Sequence, residues 1–201
     1  APLYYFSTGH IGERNFLYLE EGADNQVKAG PNGAVFYEFY YPVRTDYMEK
    51  VGVTPPSNIK APGKLATPTF PANKVLNLYD VQYTELVPGA WSRIINGKGI
   101  QVSVIDMFPG IEFGYHNHPE EQVMTVHRGA INEYVLDGKQ MMVKDDKTGK
   151  QSVLFLPAQM VHGGLLSDKG CDAFDVFYPV REDYTQKMEK MLARYHSIIP
   201  E

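Results

Sequence analysis

Two histidines separated by a single residue form the part of this sequence with the clearest chemistry. His116 and His118 lie in a stretch with the composition of a short β-strand. Alternate side chains of a strand point to the same face, so both imidazoles can bind one ion. Gln122 has the same parity just past Pro119, and His162 follows further along the chain on another predicted strand. Three imidazoles and one amide oxygen form a site suited to one divalent metal ion: Zn, Ni, Mn or Fe.

Neighbouring polar residues offer alternatives to this ligand set. Glu120 and Glu121 are close enough in the chain to replace Gln122, but Glu121 has the wrong parity and Glu120 lies in the turn. The amide of Gln122 can also orient another ligand without binding the ion. Tyr134 is a candidate catalytic acid or base, or else a packed aromatic residue with a solvated hydroxyl.

The composition narrows the choice of ligands and partners. The chain of 201 residues has a formal net charge of −5, so we expect no nucleic-acid partner and no attraction to an acidic membrane. Cys171 is the only cysteine, which excludes an internal disulfide and a thiolate cluster. No apolar run reaches the roughly 20 residues of a membrane span. A first residue Ala1 fits removal of the initiator Met, cleavage of a signal peptide or a fragment, so the compartment stays open.

Short stretches rich in β-branched and aromatic residues, separated by Gly, Pro, Asp and Asn, dominate the second half of the chain. They predict an antiparallel sandwich or barrel. The segment from Arg181 to His196 has apolar residues three and four apart and predicts a terminal amphipathic helix. The predicted strands are 100–107, 112–116, 121–128, 130–136, 139–144, 151–156, 161–166 and 172–178.

From Gly110 to Gly129 the sequence resembles the first motif of the cupin superfamily, with Gln122 where that motif has Glu. Pro157 and His162 match the second motif, with Gln159 where the family usually has Gly. The resemblance covers roughly residues 75 to 190. It implies an all-β double-stranded β-helix, or jelly-roll barrel, with extra N-terminal strands and a C-terminal helix, and one divalent metal ion inside the barrel.

Gln122 in place of Glu has chemical consequences. Three neutral imidazoles and an amide leave the charge of the ion uncompensated, so the site attracts anionic oxygen and has no carboxylate at the metal to act as a base. Cupins with a similar His-His-Gln-His set include pectin-catabolic enzymes and polyketide cyclases. The resemblance favours an isomerase, lyase or cyclase over a dioxygenase, acting on a small oxygen-rich or anionic molecule. The alternative is a non-catalytic small-molecule-binding, sensor or storage cupin with a structural metal. We expect the pocket around the ion to be lined by the side chains of Phe113, Met124, Met160 and Tyr134.

The N-terminal part contains an internal repeat. Tyr41-Pro-Val-Arg44, with Asp46 and Tyr47, recurs near the C-terminus as Tyr178-Pro-Val-Arg181, with Asp183 and Tyr184, and in the same alignment Gly33 falls on Gly170. We interpret residues 1–51, including a strand at 34–41, as an extension that could be the remnant of a duplicated barrel. Residues 52–73 form a proline-rich linker and residues 74–201 the metal-binding barrel with its helix. Extra strands and exposed sheet edges favour a homodimer.

Overall fold

The computed structural model describes residues 15–55, 57, 65–136, 138–145 and 150–198. Within these residues the chain forms a barrel of antiparallel strands, as the sequence predicts, and its C-terminal helix. The elements are β1 (Asn15–Leu17), α1 (Thr45–Lys50), β2 (Val75–Asn77), β3 (Tyr83–Val87), β4 (Ala90–Asn96), β5 (Gln101–Met107), β6 (Glu112–His116), β7 (Glu121–Val135), β8 (Gly138–Asp145), β9 (Lys150–Gln151), β10 (Val153–Leu156), β11 (His162–Tyr178) and α2 (Glu182–Ile198).

Two long strands, β7 and β11, hold the barrel together. They pair with each other, and each changes its second partner halfway along. The first part of β11 pairs with β6 and the last part with β5, while β7 pairs first with β10 and then with β8. Strands β3 and β4 continue the sheet beyond β5. Because both strands change partner, this nine-stranded sheet folds round on itself, and the space that it encloses is the core.

The change of partner occurs where two glycines meet. Gly129 and Gly170 both have positive φ, at 77° and 67°, and a Cβ on Gly129 would lie 2.2 Å from the carbonyl oxygen of Gly170. Only glycine allows this approach and backbone conformation. The sequence predicted strand breaks at both places, and this was wrong: the register shifts there, but each strand continues.

The core follows the alternation expected of strands. Strands β4 and β5 bury their first, third, fifth and seventh residues in this way, and their fourth residue is buried on the opposite face. Ile94, Val126 and Phe177 are completely buried. The predicted terminal helix is confirmed as α2, which packs Tyr184 and Met188 into this core. Lys187 donates to the carbonyl oxygen of Leu86 at 2.9 Å, which fixes the helix across the end of the barrel.

The N-terminal region does not extend the barrel sheet. The strand predicted at 34–41 is absent, although residues 15–17 form β1, which pairs with β2 in a separate two-stranded sheet. Residues 37–41 instead pack on the outer face of β11 through side chains, with Tyr37 against Phe174 at 5.2 Å and Tyr41 against Tyr178 at 5.7 Å between ring centroids. Contact by a face leaves no edge for hydrogen bonding, so no strand forms. The middle of the predicted linker lies outside the described residues.

Candidate metal centre

The three predicted histidines meet at one end of the barrel interior. His116 ends β6 and His162 begins β11, and these two residues are directly paired across the strands. His118 lies in the turn that leads into β7. The ring centroids of His116 and His162 are 4.3 Å apart, and those of His118 and His162 are 5.1 Å apart. One ligand nitrogen from each ring lies within 4.8 Å of the others, so the cluster could hold a metal ion.

Backbone carbonyls orient two of the three rings. Nδ1 of His116 is 2.8 Å from the carbonyl oxygen of Gly114, and Nδ1 of His162 is 2.8 Å from that of Met160. A carbonyl oxygen only accepts, so Nδ1 carries the proton in both rings and Nε2 keeps its lone pair. This is the tautomer that binds a metal through Nε2, with the second nitrogen held by a hydrogen bond.

The third ring contacts the predicted amide ligand. Nε2 of His118 lies 3.1 Å from Oε1 of Gln122, and both residues are buried. Nδ1 of His118 is also buried and makes no hydrogen bond, while the nearest carboxylate oxygen, Oε2 of Glu120, is 3.4 Å away. A buried nitrogen without a hydrogen bond is costly. A cation on Nε2 would remove part of this cost, because the proton would then sit on Nδ1, facing Glu120.

Burial favours the neutral form of two of these imidazoles. The pKa of His162 is lowered to about 4, first by burial and then by the neighbouring His116 and His118, although a hydrogen bond with Met160 opposes the shift. The pKa of His118 is also lowered, first by burial and then by the charge of Arg181. Metal ligation requires the neutral ring, so at neutral pH His118 and His162 are ready to bind an ion without first losing a proton.

Two acidic residues in the same cavity were not among the predicted site residues. Glu133 on β7 and Asp175 on β11 are 4% and 4% exposed and line the cavity together with His116, Gln122 and His162. The pKa of Glu133 is raised to about 8, first by burial and then by the charge of Asp175. Burial also raises the pKa of Asp175 to about 7, although a hydrogen bond with Gln122 opposes this shift. Each carboxyl group can therefore exchange a proton near neutral pH.

A glycine opposite Glu133 makes room for its carboxyl group. Gly164 is the β11 residue paired with Glu133. A Cβ at Gly164 would lie 2.7 Å from Oε2 of Glu133 and 2.7 Å from Cδ1 of Ile131. The bare backbone of β11 at this point lets an acidic side chain fit inside the barrel.

Arg181 supplies a positive charge at the cavity. Its side chain is 7% exposed and is held by two hydrogen bonds to Asp183, at 3.0 and 2.7 Å. Its guanidinium stacks over the rings of Tyr184 and Phe177 at 3.9 and 4.9 Å. Phe177 in turn contacts the ring of His118 at 5.5 Å. The residue lies just after β11, where the repeated sequence motif was the signal that could have identified it.

Tyr134 is not brought to this cavity. It follows Glu133 on β7, so its side chain points to the opposite face, where it contacts Tyr115 at 6.4 Å and Lys139 at 5.8 Å. Of the other predicted lining residues, Phe113 and Met124 line the cavity and Met160 does not. The acidic side chains that line this cavity are instead Glu133 and Asp175, while Glu120 lies beside His118.

Comparisons with known proteins find similarity in structure but not in sequence. No family model matches the sequence, and no curated protein matches it. The structure is similar to KdgF from Halomonas sp., with 18% identity over 52% of this chain and 92% of that chain and a TM-score of 0.46. It is similar to an RmlC-like cupin from Shewanella frigidimarina, with 19% identity over 61% of this chain and 99% of that chain and a TM-score of 0.48. A third similar structure is the polyketide cyclase RemF from Streptomyces resistomycificus, with 17% identity over 53% of this chain and 78% of that chain and a TM-score of 0.44.

The antiparallel strand order and the two long strands that change partners form a cupin-type jelly-roll barrel, as the sequence resemblance implied. No helix among the described residues is long and apolar enough to cross a membrane.

Proposed function

We propose that this barrel binds one divalent metal ion through Nε2 of His116, His118 and His162 and Oε1 of Gln122. We further propose that it is a metal-dependent enzyme acting on a small oxygen-rich or anionic molecule. The observation that carries the proposal is the convergence of three imidazoles, with one nitrogen of each within 4.8 Å of the others, at a cavity that two protonatable carboxyl groups also line.

The donor set suits an ion that polarises oxygen. When bound, the ion would act as a Lewis acid toward a hydroxyl, carbonyl or carboxylate oxygen of the substrate. None of the four ligands is charged, so the positive charge stays available to an anion. Arg181, which lines the same cavity, adds a second positive charge that favours a substrate with a carboxylate or a similar group.

Glu133 and Asp175 can move protons on such a substrate. Their pKa values of about 8 and about 7 mean that, near neutral pH, one group can hold a proton while the other has lost it. A pair of this kind can remove a proton at one position and return one at another. This favours isomerase, lyase or cyclase chemistry over reaction with O2.

The metal site is tested by elemental analysis of protein purified without added metal. We expect about one equivalent of Zn, Ni, Mn or Fe, and its loss in the double variant His116→Ala, His162→Ala. His127→Ala is the matched control, because His127 packs against Phe174 on the outside of β11 and should leave the metal content unchanged. Protein that takes up no metal on titration would refute the proposal.

The reaction class is tested by solvent exchange. Metal-loaded protein is incubated in D2O with a panel of uronates, hydroxy acids and keto acids, and nuclear magnetic resonance follows deuterium incorporation next to carbonyl or hydroxyl carbons. Incorporation that requires both the metal and Glu133 or Asp175 would support proton transfer. Oxygen consumption without exchange would instead indicate a dioxygenase.

A non-catalytic binding protein with a structural metal is the second candidate. It is favoured by the depth of the site, since His118 and His162 are only 7% and 3% exposed. In this case, removing the metal would lower the melting temperature, and no compound of the panel would exchange protons.

A further inference from the structure

One β-turn connects the strand that begins with His162 to the segment that carries the other two histidines. The turn runs from Pro157 to Met160, and the backbone N–H of Met160 donates to the carbonyl oxygen of Pro157 at 3.1 Å. It lies between β10 and β11, shortly before His162. The position of this turn therefore bears directly on the position of that ring.

The backbone of the turn contacts two of the three histidines. The N–H of Gln159 donates to the carbonyl oxygen of His118 at 2.8 Å. The carbonyl oxygen of Met160 accepts a hydrogen bond from Nδ1 of His162, also at 2.8 Å. Two consecutive residues of the turn thus contact one histidine each. A shift of the turn would move His118 and His162 relative to each other.

A side-chain hydrogen bond adds to these backbone contacts. Nδ2 of Asn117 donates to Oε1 of Gln159 at 3.1 Å, and Asn117 is the residue between His116 and His118. Gln159 is therefore bonded to the His116–His118 segment twice, once through its backbone and once through its side chain. Two bonds between the same two segments restrict their rotation as well as their separation.

The backbone of Gln159 has a conformation that favours glycine. Its φ is 66°, and a turn with positive φ at its third residue ordinarily has Gly or Asn there. Strain of this kind persists where surrounding contacts over-determine the conformation. The two contacts described for Gln159 go to Asn117 and His118. Glycine would remove the strain and also the bond to Asn117, so substitution can separate the two effects.

Packing in the core does not explain this pair of amides. Asn117 and Gln159 are both exposed, and a hydrogen bond between exposed groups adds little to folding, because water competes for both partners. Their bond joins two segments that carry histidines of the cluster. Its effect should therefore fall on the positions of the imidazoles more than on the stability of the barrel.

We propose that Asn117 and Gln159 are positioning residues for the metal ion. Together they hold the turn of residues 157–160 against the His116–His118 segment, so that the imidazoles are close together before the ion binds. The inference rests on the proposed function, because it concerns the ion proposed there. Ligands that are already held in place lose less conformational freedom when the ion binds, and the affinity rises accordingly.

A double-mutant cycle in Zn²⁺ affinity tests the proposal. Metal-free wild type, Asn117→Ala, Gln159→Ala and the double variant are titrated with Zn²⁺ in competition with a chelator. Each single substitution breaks the same hydrogen bond and should weaken Zn²⁺ binding about fivefold, which corresponds to about 1 kcal/mol. The double variant should lose no more than either single variant, because the bond can be broken only once.

Asn73→Ala is the matched control. Asn73 also has a positive φ, at 61°, and its side chain donates to Oε1 of Glu20 at 2.8 Å. It lies before β2, in the sheet that is separate from the barrel. Its substitution therefore removes the same kind of bond at the same kind of backbone position, and it should leave the Zn²⁺ affinity unchanged.

Gln159→Gly separates positioning from folding. Glycine adopts a φ of 66° without strain, so the metal-free variant should unfold at a urea concentration no lower than that of wild type. Its Zn²⁺ binding should still be about fivefold weaker, because the bond to Asn117 is lost. Gln159→Ala keeps the strain and should be less stable than Gln159→Gly. A merely structural role would change affinity and stability together.

Two outcomes would overturn the proposal while the metal site stands. One is an unchanged Zn²⁺ affinity in both single variants. The other is a double variant that binds about 25-fold more weakly, the product of two fivefold losses, because the two side chains would then act independently. Wild-type protein that binds no Zn²⁺ would refute the metal site itself, and this role of Asn117 and Gln159 with it.

Discussion

Glu133 is expected to make the folded protein less stable as the pH rises. Its pKa is raised from the ordinary value of 4.5 to about 8 by burial, so the folded state keeps a proton that the unfolded state loses. Stability is therefore complete below about pH 4.5, falls as the pH rises between 4.5 and 8, and is constant again above 8. At about 1.4 kcal/mol per pKa unit, the loss is about 3 kcal/mol at pH 7 and roughly 5 kcal/mol above pH 8, as an upper limit.

Glu133→Gln removes this dependence, because the amide is neutral at every pH and nearly the same size. The assay is urea unfolding of metal-free wild type and variant between pH 5 and pH 9, with Glu112→Gln as the control at an exposed position of β6. We expect the two proteins to differ little at pH 5 and the variant to be more stable by about 2 to 5 kcal/mol at pH 9. The raised pKa of Asp175 has the same effect in wild type and variant, so the stability of both proteins should still fall to some extent as the pH rises. Stability curves that stay parallel from pH 5 to pH 9 would refute the reasoning.

Three further substitutions test other parts of the site. The Gln122→Glu variant should still bind the metal, but its metal-loaded form should bind acetate about fivefold more weakly. A carboxylate ligand offsets roughly 1 kcal/mol of the attraction between the ion and the anion. Calorimetric titration with the metal, and then with acetate, measures both effects. Gly164→Ala should lower the free energy of unfolding in urea by about 1 to 3 kcal/mol, because its Cβ would lie 2.7 Å from Oε2 of Glu133. Gly30→Ala is the control, because its Cβ would meet no atom within 4 Å, and we expect no loss of stability. Phe177→Ala should cost about 3 to 5 kcal/mol, because the ring is fully buried; a loss below about 1 kcal/mol would contradict its place in the core.

The histidine cluster could be predicted because its information is local. His116 and His118 were predicted to share a face through the two-residue period of a strand, which does not depend on the rest of the fold. His118 in fact lies just past the end of β6, but the two rings are still close, with their centroids 6.0 Å apart. The pairing of His162 with His116 depends on which strands become neighbours, and here the cupin resemblance supplied what the spacing could not.

Glu133 was not among the predicted site residues, because the sequence of β7 does not show which of its two alternating faces lies inside the barrel. Ile131 and Val135 mark one face as apolar, but Tyr134 makes the other face look equally suitable for the interior. A carboxyl group at that point is ordinarily a solvent-facing residue. The bare backbone of Gly164, which makes the inward position possible, lies on another strand and cannot be located without the fold.

The glycines at 129 and 170 show a similar limit. In a sequence, a glycine between two apolar runs indicates either a turn or a bulge, since both need positive φ. The register between β7 and β11 decides between them, and it brings the two glycines into contact. Because β11 bends at Gly170 without ending, the same strand carries both His162 and Asp175, and both side chains line the cavity.

Strand β11 connects the site to the N-terminal segment. Its inward residues Asp175 and Phe177 face the cavity and the ring of His118, while its outward residues Phe174 and Tyr178 receive the rings of Tyr37 and Tyr41. Successive residues of one strand thus serve two surfaces, and neither set can shift along the strand without the other. Packing on the outer face therefore helps to fix the carboxyl group and the aromatic ring that border the histidines.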